Sequence, residues 1–395
     1  MTTEIKLLGN SCNLGCSYCY ENPMRFAGNT RVSKGYDIDL VLSLADNNLQ
    51  NKSGGYSVFG GEGTLVPIRD LERVFRESYE KYGSSSIQTN GTLITDQHIE
   101  LFKMYNVSVG VSTDGPNELN GLRVPLGGMT LDEATYRTNE SIRKMIAAGI
   151  SVSVILTLHR ENASPDRLPR LISFIKWLIQ IGVRYGIIHL LEIDDPEAKK
   201  HELSEEENIN AMISLSKLFE ENPESKFAPF CEIDEMMSHG NFKAGCVWKP
   251  CDPSNTPSVF GIEGNGQISN CGMVNKEGIE WTKSKDPSPF VRPQILYHTD
   301  QDKNGCKDCP FFIACNGYCT GSSIGGDFRN RTVHCGTIKK MMEFYENKAI
   351  SNGAIPFSKR DDRKQLEEEY LNLSYAGSDL YDLSQLERKE VKHGE

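Results

Sequence analysis

The stretch CNLGCSYCY, residues 12–20, decides which fold and which chemistry the sequence predicts. It places Cys12, Cys16 and Cys19 at the spacing Cys-x3-Cys-x2-Cys, just after the apolar run Ile5–Leu8. Thiolate is the soft ligand that suits the irons of a cubane cluster. Three thiolates hold three of the four irons and leave the fourth open to a ligand from outside. The stretch therefore predicts an iron–sulfur cluster with one open iron.

Two other kinds of site use closely spaced cysteines, namely structural zinc sites and disulfides. Structural zinc sites usually close with four ligands, and no fourth cysteine or histidine lies near this trio. The chain has twelve cysteines, and its first residues, MTTEIK, are not a secretory signal. This combination favours metal ligation in a reducing compartment over disulfides. We therefore expect a cytoplasmic metalloprotein, although the trio alone leaves the zinc alternative open.

Length and charge narrow the class of protein. A chain of 395 residues suggests two domains, or one large domain with additions. No apolar run is long enough to cross a membrane, so we expect no membrane partner. The formal net charge is −11, whereas a general nucleic-acid binder needs a basic surface to neutralise phosphates. A peptide or a small molecule is the kind of substrate that this composition allows.

From residue 5 to about residue 219, short β-like runs alternate with amphipathic helical patterns. The candidate strands are Ile5–Leu8, Tyr56–Phe59, Ser86–Thr89, Val107–Ser112, Ser151–Leu158 and Gly186–Leu191, and the helical patterns cover 37–49, 69–82, 96–104, 131–148, 165–181 and 204–219. Six βα units predict an α/β fold with a parallel sheet and helices outside. Sheets and barrels of this kind carry their sites at the carboxyl ends of the strands.

The chemically suggestive motifs fall at those strand ends. The cysteine trio follows the first strand, and Gly60-Gly61-Glu62 follows the second. The run QTNG, residues 88–91, closes the third strand, and STDGP, residues 112–116, closes the fourth. Because the carboxyl ends of parallel strands meet at one edge of a sheet, we expect these segments to converge.

This combination resembles the radical S-adenosylmethionine (radical SAM) superfamily. The resemblance implies a partial (β/α)6 barrel whose cluster cleaves SAM, chelated at the open iron, to a 5′-deoxyadenosyl radical that abstracts a substrate hydrogen. FGGEGT at 59–64 looks like the family's GGE motif, in which the backbone at Gly60 and Gly61 and the acid, here Glu62, hold the SAM amino group. STDGP looks like the SxDGP run of radical SAM peptide maturases, which implies that Ser112 reaches the SAM ribose and that Asp114 assists.

Three more residues enter through the same resemblance. Tyr18 holds the position of an aromatic residue near the adenine, Asn90 belongs to a QTNG run similar to that of the maturases, and Arg123 would contact the SAM carboxylate or the substrate. The alternatives are a core tyrosine, an ordinary Asp-Gly turn at 114–115 and a structural or surface arginine. The chain departs from the maturases at Leu119-Asn120, where those enzymes often carry His-Asp.

Beyond a linker at 221–245 the composition changes. Residues 246–345 have little apolar periodicity, so we expect that bound metal stabilises their fold. They carry eight cysteines: Cys246, Cys251, Cys271, Cys306, Cys309, Cys315, Cys319 and Cys335. Their order and spacing resemble the SPASM extension of radical SAM proteins. A zinc ribbon built from Cys306 and Cys309 is the alternative.

The SPASM resemblance implies two auxiliary 4Fe–4S clusters beside the SAM-binding 4Fe–4S cluster. Cys246, Cys251, Cys271 and Cys319 would hold one of them, and Cys306, Cys309, Cys315 and Cys335 the other. Clusters with four thiolates favour a role in electron transfer, and an external donor such as flavodoxin or ferredoxin would supply electrons to the enzyme. Cys231 is left over, either as a small buried hydrophobe or as a hydrogen donor of the kind used by some radical SAM epimerases.

Two departures concern the substrate. The anaerobic sulfatase-maturing enzymes share this architecture and carry an Asp, their proposed catalytic base, at the position of Gly272. This argues against oxidation of a sulfatase side chain. Only four residues precede the first strand, so we expect no N-terminal leader-binding domain. A peptide substrate would then need a separate leader-binding protein or direct recognition by the catalytic domains.

The expected domains are a radical SAM barrel at 1–220, the linker at 221–245, a SPASM domain at 246–345 and a tail at 346–395. For the tail we expect a packed helix or a partly disordered end, with a partner-binding segment as the alternative. Its apolar anchors are Leu366, Tyr370, Leu371, Tyr375, Leu380, Tyr381 and Leu386.

Three functions are compatible with these features. The first is modification of a residue in a ribosomally synthesised peptide, by a crosslink, a thioether, an epimerisation or an excision. The second is a radical SAM dehydrogenase or epimerase that acts on a small molecule such as a sugar or amino acid derivative. The third is a non-catalytic electron-transfer or zinc scaffold. The GGE and SxDGP motifs count against the third function, because a carrier has no need to bind SAM.

Overall fold

A computed structural model describes residues 2–26, 35–47, 55–193, 196–253, 259–274 and 291–375. The chain forms two compact units. The first unit consists of Met1–Glu207, Leu218–Phe227 and Ser258–Thr282, and the second of Asn208–Lys217, Ala228–Pro257 and Lys283–Glu395. Residues 259–274, which the sequence groups with the SPASM region, thus belong to the unit that carries the sheet.

One sheet of nine strands organises the first unit. Its strands are β1 (Thr2–Lys6), β2 (Tyr56–Val58), β3 (Ser85–Thr89), β4 (Val107–Ser112), β5 (Val152–Leu158), β6 (Tyr185–Leu190), β7 (Lys226–Ala228), β8 (Val259–Glu263) and β9 (Ile268–Ser269). They lie in the order β7-β6-β5-β4-β3-β2-β1-β8-β9. Strands β1 to β6 pair with their sequence neighbours in parallel, and β8 adds to β1 in parallel. The predicted parallel α/β fold is confirmed.

The helices follow the predicted alternation. They are α1 (Asn22–Phe26), α2 (Ile38–Asn47), α3 (Ile68–Tyr82), α4 (Asp96–Met104), α5 (Leu131–Ala147), α6 (Arg160–Ala163), α7 (Leu168–Gln180), α8 (Pro196–Lys199), α9 (Glu205–Glu220), α10 (Phe230–His239), α11 (Arg292–His298), α12 (Phe312–Cys315), α13 (Cys335–Ser351) and α14 (Arg363–Tyr375). Each of the six predicted helical patterns corresponds to one of them. Among the described helices, none is long and apolar enough to span a membrane.

The two faces of the sheet differ in chemistry because side chains alternate along a strand. Along β4 and β5, Val109, Val111, Val154 and Leu156 are fully buried and form one apolar layer. The opposite face carries Ile155 and otherwise small or polar residues, for example the partly exposed Ser112 at the end of β4. Polar side chains on this second face are therefore available for a site at the carboxyl edge.

The second unit contains α10 to α14. Helix α13 packs against α10, and α14 packs against α11 and α12. Tyr370 of α14 donates a hydrogen bond of 2.5 Å to the side-chain oxygen of Asn316, and Tyr297 of α11 donates to Glu367 of α14 at 2.9 Å. The start of the predicted tail is thus a packed helix, whereas Leu380, Tyr381 and Leu386 lie outside the described residues. Cys231 is partly buried in α10.

Candidate functional site

The loop that carries the cysteine trio runs from the end of β1 to the start of α1. The backbone N–H of Cys19 donates to the carbonyl of Cys16 at 3.1 Å, and Asn22 at the start of α1 donates to the carbonyl of Cys19 at 2.8 Å. All three thiols are free and partly exposed. Burial raises the pKa of the Cys16 thiol to about 12. One curled loop thus presents three free thiols, which fits the three-thiolate side of a 4Fe–4S cluster.

A second segment braces this loop. Gly15 donates its backbone N–H to the carbonyl of Val124 at 2.7 Å, and Ser17 donates to the carbonyl of Leu122 at 2.9 Å. Leu126 donates in return to the carbonyl of Asn13 at 3.0 Å. The segment that follows STDGP therefore pairs with the cysteine loop like a short antiparallel ribbon and fixes its path.

The turn after β2 packs directly against the residue that precedes the trio. Gly61 has a φ of +43°, and a Cβ atom there would lie 1.9 Å from the carbonyl oxygen of Ser11. The next residue, Glu62, donates its backbone N–H to the same oxygen at 2.8 Å. Only glycine allows this approach. The predicted GGE motif therefore contacts the backbone of Ser11, the residue directly before the trio.

The Glu62 side chain points into the protein. It is 1% exposed, and its carboxylate accepts hydrogen bonds from the backbone N–H and hydroxyl of Thr64, the hydroxyl of Thr89 and the backbone N–H of Asn90. The acid thus joins the ends of β2 and β3. Its predicted contact with the SAM amino group stays a prediction, and the main chain at residues 60–61 is the part of the motif that lies beside the cysteine loop.

We expect Glu62→Gln to lower the free energy of unfolding by about 1–3 kcal/mol, because an amide cannot accept all four bonds and leaves a buried donor unpaired. Urea unfolding under anaerobic conditions measures this. Glu100→Ala is the matched control, since Glu100 is exposed on α4 and surface substitutions usually change stability by less than about 0.5 kcal/mol. Equal effects of the two substitutions would contradict a structural role for Glu62.

Asn90, at the end of β3, lies against the trio. Its side-chain amide donates to the side-chain oxygen of Asn13 at 2.8 Å and approaches the sulfur of Cys12 at 3.9 Å. Its side-chain oxygen accepts from the backbone N–H and hydroxyl of Thr92. The QTNG run thus meets the first cysteine, a contact that sequence spacing alone did not specify.

Asp114 lies at the centre of a buried polar network. Tyr18 donates its hydroxyl to one carboxylate oxygen of Asp114, and the backbone N–H of Thr157 donates to the other at 3.0 Å. Arg123 donates to the Tyr18 hydroxyl at 3.1 Å. His159 is fully buried, with its Nε2 3.6 Å from Asp114. The network ties the cysteine loop to the ends of β4 and β5.

The opposite charges in this network stabilise one another. Burial by itself would raise the pKa of Asp114, but His159, Arg123 and Tyr18 lower it overall. Burial would likewise lower the pKa of Arg123, but Tyr18, Cys16 and Asp114 hold it well above its ordinary value. Asp114 and Arg123 are therefore an anion and a cation on either side of Tyr18.

The predicted residues thus divide into two groups. Asp114, Tyr18 and Arg123 form internal bonds that hold the loop, whereas Ser112 is partly exposed and its hydroxyl accepts from the Gln88 amide at 2.8 Å. Their contacts with SAM stay predictions. Sequence analysis missed His159, which directly follows β5, and its place at a strand end is the signal that could have indicated it.

Four of the predicted auxiliary ligands meet in the second unit. Cys306, Cys309, Cys315 and Cys335 line one cavity, together with apolar side chains and Lys339. Burial raises the pKa of Cys306 to about 12. Their convergence from one loop, from α12 and from the first residue of α13 fits a four-thiolate cluster site.

The other four predicted ligands are divided between the two units. Cys271 belongs to the first unit, and Cys246, Cys251 and Cys319 belong to the second. Within the second unit, Thr320 donates its hydroxyl to the carbonyl of Cys251 at 2.8 Å. That these four cysteines bind one cluster stays a prediction. Among the described residues, no three Cys, His, Asp or Glu side chains are placed to hold a single metal ion. A 4Fe–4S cluster is larger than a single ion, so its four thiolate ligands lie further apart.

The packing around Gly272 leaves no room for an acidic side chain at this position. A Cβ atom there would lie 2.6 Å from Cε2 of Tyr20 and 3.4 Å from Oε1 of Glu21. The Tyr20 ring occupies the space that a side chain at position 272 would need. The nearest carboxylate atom among those neighbours is instead that of Glu21, which is 3% exposed.

We expect Gly272→Asp to cost about 1–3 kcal/mol of unfolding free energy, the usual range for overpacking. In a Tyr20→Ala background the same substitution should cost much less, because the obstructing ring is gone. A double-mutant cycle based on urea unfolding measures the difference. An equal cost in both backgrounds would show that Tyr20 is not the obstacle.

Comparisons with known proteins agree with this arrangement. Residues 7–172 match the model of the Radical SAM superfamily. A cysteine-type anaerobic sulfatase-maturating enzyme of Clostridium novyi is 25% identical over 364 residues, which are 86% of this chain and 93% of that protein. The uncharacterized protein MJ0907 of Methanocaldococcus jannaschii is 28% identical over 196 residues, which are 49% of this chain and 62% of MJ0907. The chain thus spans less than two thirds of MJ0907.

Solved structures share the fold. Native anSMEcpe with bound AdoMet and Cp18Cys peptide has a TM-score of 0.66 at 18% identity, over 89% of this chain and 98% of that chain. Streptococcus suis SuiB bound to precursor peptide SuiA has a TM-score of 0.54 at 15% identity, over 85% of this chain and 75% of that chain. At these identities the likeness is evidence for the fold alone.

Proposed function

Because residues 7–172 form a radical SAM domain, we propose that the protein is a radical SAM/SPASM enzyme that modifies a residue of a ribosomally synthesised peptide by hydrogen abstraction. The observation that carries the proposal is the convergence of four strand-end segments. The turn at Gly60–Gly61, the side chain of Asn90 and the network of Asp114 each contact a residue of the loop that carries the trio. An electron carrier would need only the cysteines and not the other strand-end segments that surround them.

Cys12, Cys16 and Cys19 would hold the SAM-binding 4Fe–4S cluster. When reduced and with SAM bound, that cluster would supply the electron that splits SAM into methionine and a 5′-deoxyadenosyl radical, which would take a hydrogen atom from the substrate. The backbone of Gly60 and Gly61 would receive the SAM amino group, and Ser112 would receive the ribose. Tyr18, Asp114 and Arg123 would hold the loop in place, so that the three thiols keep a fixed geometry while SAM binds.

The second unit would serve electron transfer. Cys306, Cys309, Cys315 and Cys335 would hold one auxiliary 4Fe–4S cluster, and Cys246, Cys251, Cys271 and Cys319 the other. Loss of a hydrogen atom leaves a substrate radical, which must lose one more electron and a proton to become a closed-shell oxidised product. A flavodoxin or ferredoxin would supply the electron that starts each turnover, in the cytoplasm.

A peptide is the substrate class that the relatives favour. The anSMEcpe and SuiB structures each contain a peptide, and both share the fold of this chain. Gly272, which is blocked by Tyr20, separates this chain from enzymes that carry an acid there. We therefore propose a peptide modification other than the oxidation of a sulfatase side chain, with leader recognition by the catalytic domains or by a separate leader-binding protein.

The test uses anaerobically reconstituted full-length protein. We expect about twelve irons per chain, from three four-iron clusters, and formation of 5′-deoxyadenosine that requires reductant. A panel of short peptides encoded beside the gene and a panel of sugars and amino acid derivatives are then compared by mass spectrometry. Modification of a peptide supports the proposal. Zinc in place of iron, no SAM cleavage, or turnover of a small molecule alone would overturn it.

A further inference from the structure

His189 lies near the carboxyl end of β6 and has no role in the proposed function so far. Residues along β6 alternate between the two faces of the sheet. Ile188 and Leu190 are buried in the apolar layer, whereas Ile187 is exposed and His189 is half-buried. His189 therefore lies on the second, more polar face of the sheet, within the first unit.

The register of the sheet places His189 on the same face as Ser112. Ser112 pairs with Ile155 of β5, and Ile155 pairs in turn with Ile187 of β6. His189 is two residues beyond Ile187 and pairs with Thr157. Paired residues of parallel strands point to the same side of the sheet. Measured along the sheet, His189 thus lies about 10 Å across two strands from Ser112 and about 7 Å nearer the carboxyl edge.

The imidazole of His189 has no partner among the residues that the structure describes. None of them forms a hydrogen bond or an ion pair with the ring. Burial alone lowers the pKa of His189 to about 4, and even at its ordinary pKa of about 6.5 a histidine is mostly neutral at neutral pH. A neutral imidazole has a nitrogen lone pair that can accept a proton.

The two acids of the neighbouring strand-end motifs are already occupied by hydrogen bonds. The carboxylate of Glu62 accepts four of them, and that of Asp114 accepts from Tyr18 and from the backbone of Thr157. Along β3 to β6, the other residues of the polar face are serine, glutamine, threonine, glycine, isoleucine and tyrosine. His189 is therefore the side chain on this face of β3 to β6 that can take up a proton near neutral pH.

We propose that His189 is the base that takes the substrate proton in a net oxidation of the peptide. Two substrate bonds break, a C–H bond and an N–H, O–H or S–H bond, and one bond forms between that carbon and the nitrogen, oxygen or sulfur. The hydrogen atom goes to the 5′-deoxyadenosyl radical, one electron goes to an oxidised 4Fe–4S cluster, and the proton goes to His189, which then releases it to solvent. The inference rests on the proposed function, because it needs the radical and a peptide substrate.

The experiment uses reconstituted full-length protein, SAM, a reductant and the peptide that the unsubstituted enzyme modifies. Product and 5′-deoxyadenosine are counted in the same reaction by mass spectrometry. His189→Gln should lower the amount of product per 5′-deoxyadenosine about a hundredfold or more, since a general base typically contributes 10²–10⁴-fold. His189→Ala should lose the same ratio and regain part of it when imidazole is added, because imidazole can fill the vacated space.

Tyr185→Phe is the matched control, because Tyr185 lies on the same face of β6 four residues earlier, and it should keep the ratio. An unchanged ratio in His189→Gln, with or without an equal loss of both products, would overturn the inference. So would a lowered ratio that imidazole does not restore in His189→Ala, or a loss of the ratio in Glu192→Gln alone.

The mass of the product separates this inference from the proposed function. A net oxidation changes the mass of the peptide by the loss of two hydrogens. A modified peptide of unchanged mass, as in an epimerisation, would overturn the role of His189 and leave the proposed function standing. If the unsubstituted enzyme modifies no peptide, the proposed function itself fails.

Discussion

We expect that replacing Cys12, Cys16 and Cys19 together by alanine abolishes SAM cleavage and leaves about two thirds of the iron, because two of the three proposed four-iron clusters would remain. The three thiols share one loop, and that loop is braced by backbone hydrogen bonds to residues 122–126 rather than by the thiols themselves. The loop should therefore fold without its metal. Loss of the proposed cluster would remove the source of the electron that cleaves SAM.

Iron content and 5′-deoxyadenosine formation are measured on the same anaerobic preparation. Cys231→Ala is the matched control, because Cys231 lies in α10 and belongs to none of the three predicted ligand sets. That variant should keep about twelve irons and full SAM cleavage. If the triple variant still cleaved SAM, the cleaving cluster would lie elsewhere in the chain. If it lost all its iron, the predicted auxiliary sites would depend on the trio.

Local sequence pattern predicted the sheet because the first six strands alternate with helices and each strand pairs with its sequence neighbour. It also indicated which segments meet at the carboxyl edge. It did not predict β8, which adds to β1 although about two hundred and fifty residues separate them. Pairing of distant strands depends on tertiary packing, and a five-residue strand in an irregular region has no periodicity strong enough to indicate it.

The sequence also did not predict which partners individual side chains contact. The buried carboxylate of Glu62 accepts hydrogen bonds from Thr89 and Asn90, which lie 27 and 28 residues further along the chain, and its spacing from the trio did not predict these partners. The motif spacing indicated which residues are near the site, whereas contacts between segments decide what each of them does.

Replacing Arg292 by methionine should cause a large loss of stability in the second unit. Arg292 is 1% exposed, and its guanidinium donates hydrogen bonds of 2.7–3.3 Å to the carbonyl oxygens of residues 316, 317, 318, 328 and 330. Residues 316–318 all have φ between +50° and +73° and connect Cys315 to Cys319. A left-handed stretch of this length is strained for non-glycine residues, so it needs the arginine to hold it.

Methionine removes the hydrogen bonds from Arg292 to these carbonyls, although the carbonyl of Gly317 keeps a bond of 3.0 Å from the backbone N–H of Thr332. Each buried group that is left unpaired costs about 1–3 kcal/mol. Lysine keeps the charge but has three donors on one nitrogen in place of a planar fork, so Arg292→Lys should restore only part of the stability. Arg329→Met is the matched control, because Arg329 is exposed and pairs only with Asp327 among its described ion pairs, a kind of contact worth about 0–1 kcal/mol.

The Arg292→Met variant should lose the auxiliary clusters and keep the SAM-binding cluster, which is the opposite of what we expect for the cysteine triple variant. We expect it to keep about one third of the iron, from the SAM-binding cluster alone, and to form 5′-deoxyadenosine while yielding no modified product. The reason is that the trio and its bracing segment belong to the first unit, whereas Arg292 and the 315–319 turn belong to the second. Loss of SAM cleavage in this variant would mean that the first unit cannot hold its cluster without an intact second unit. Retention of all the iron would mean that the turn keeps its shape without the arginine.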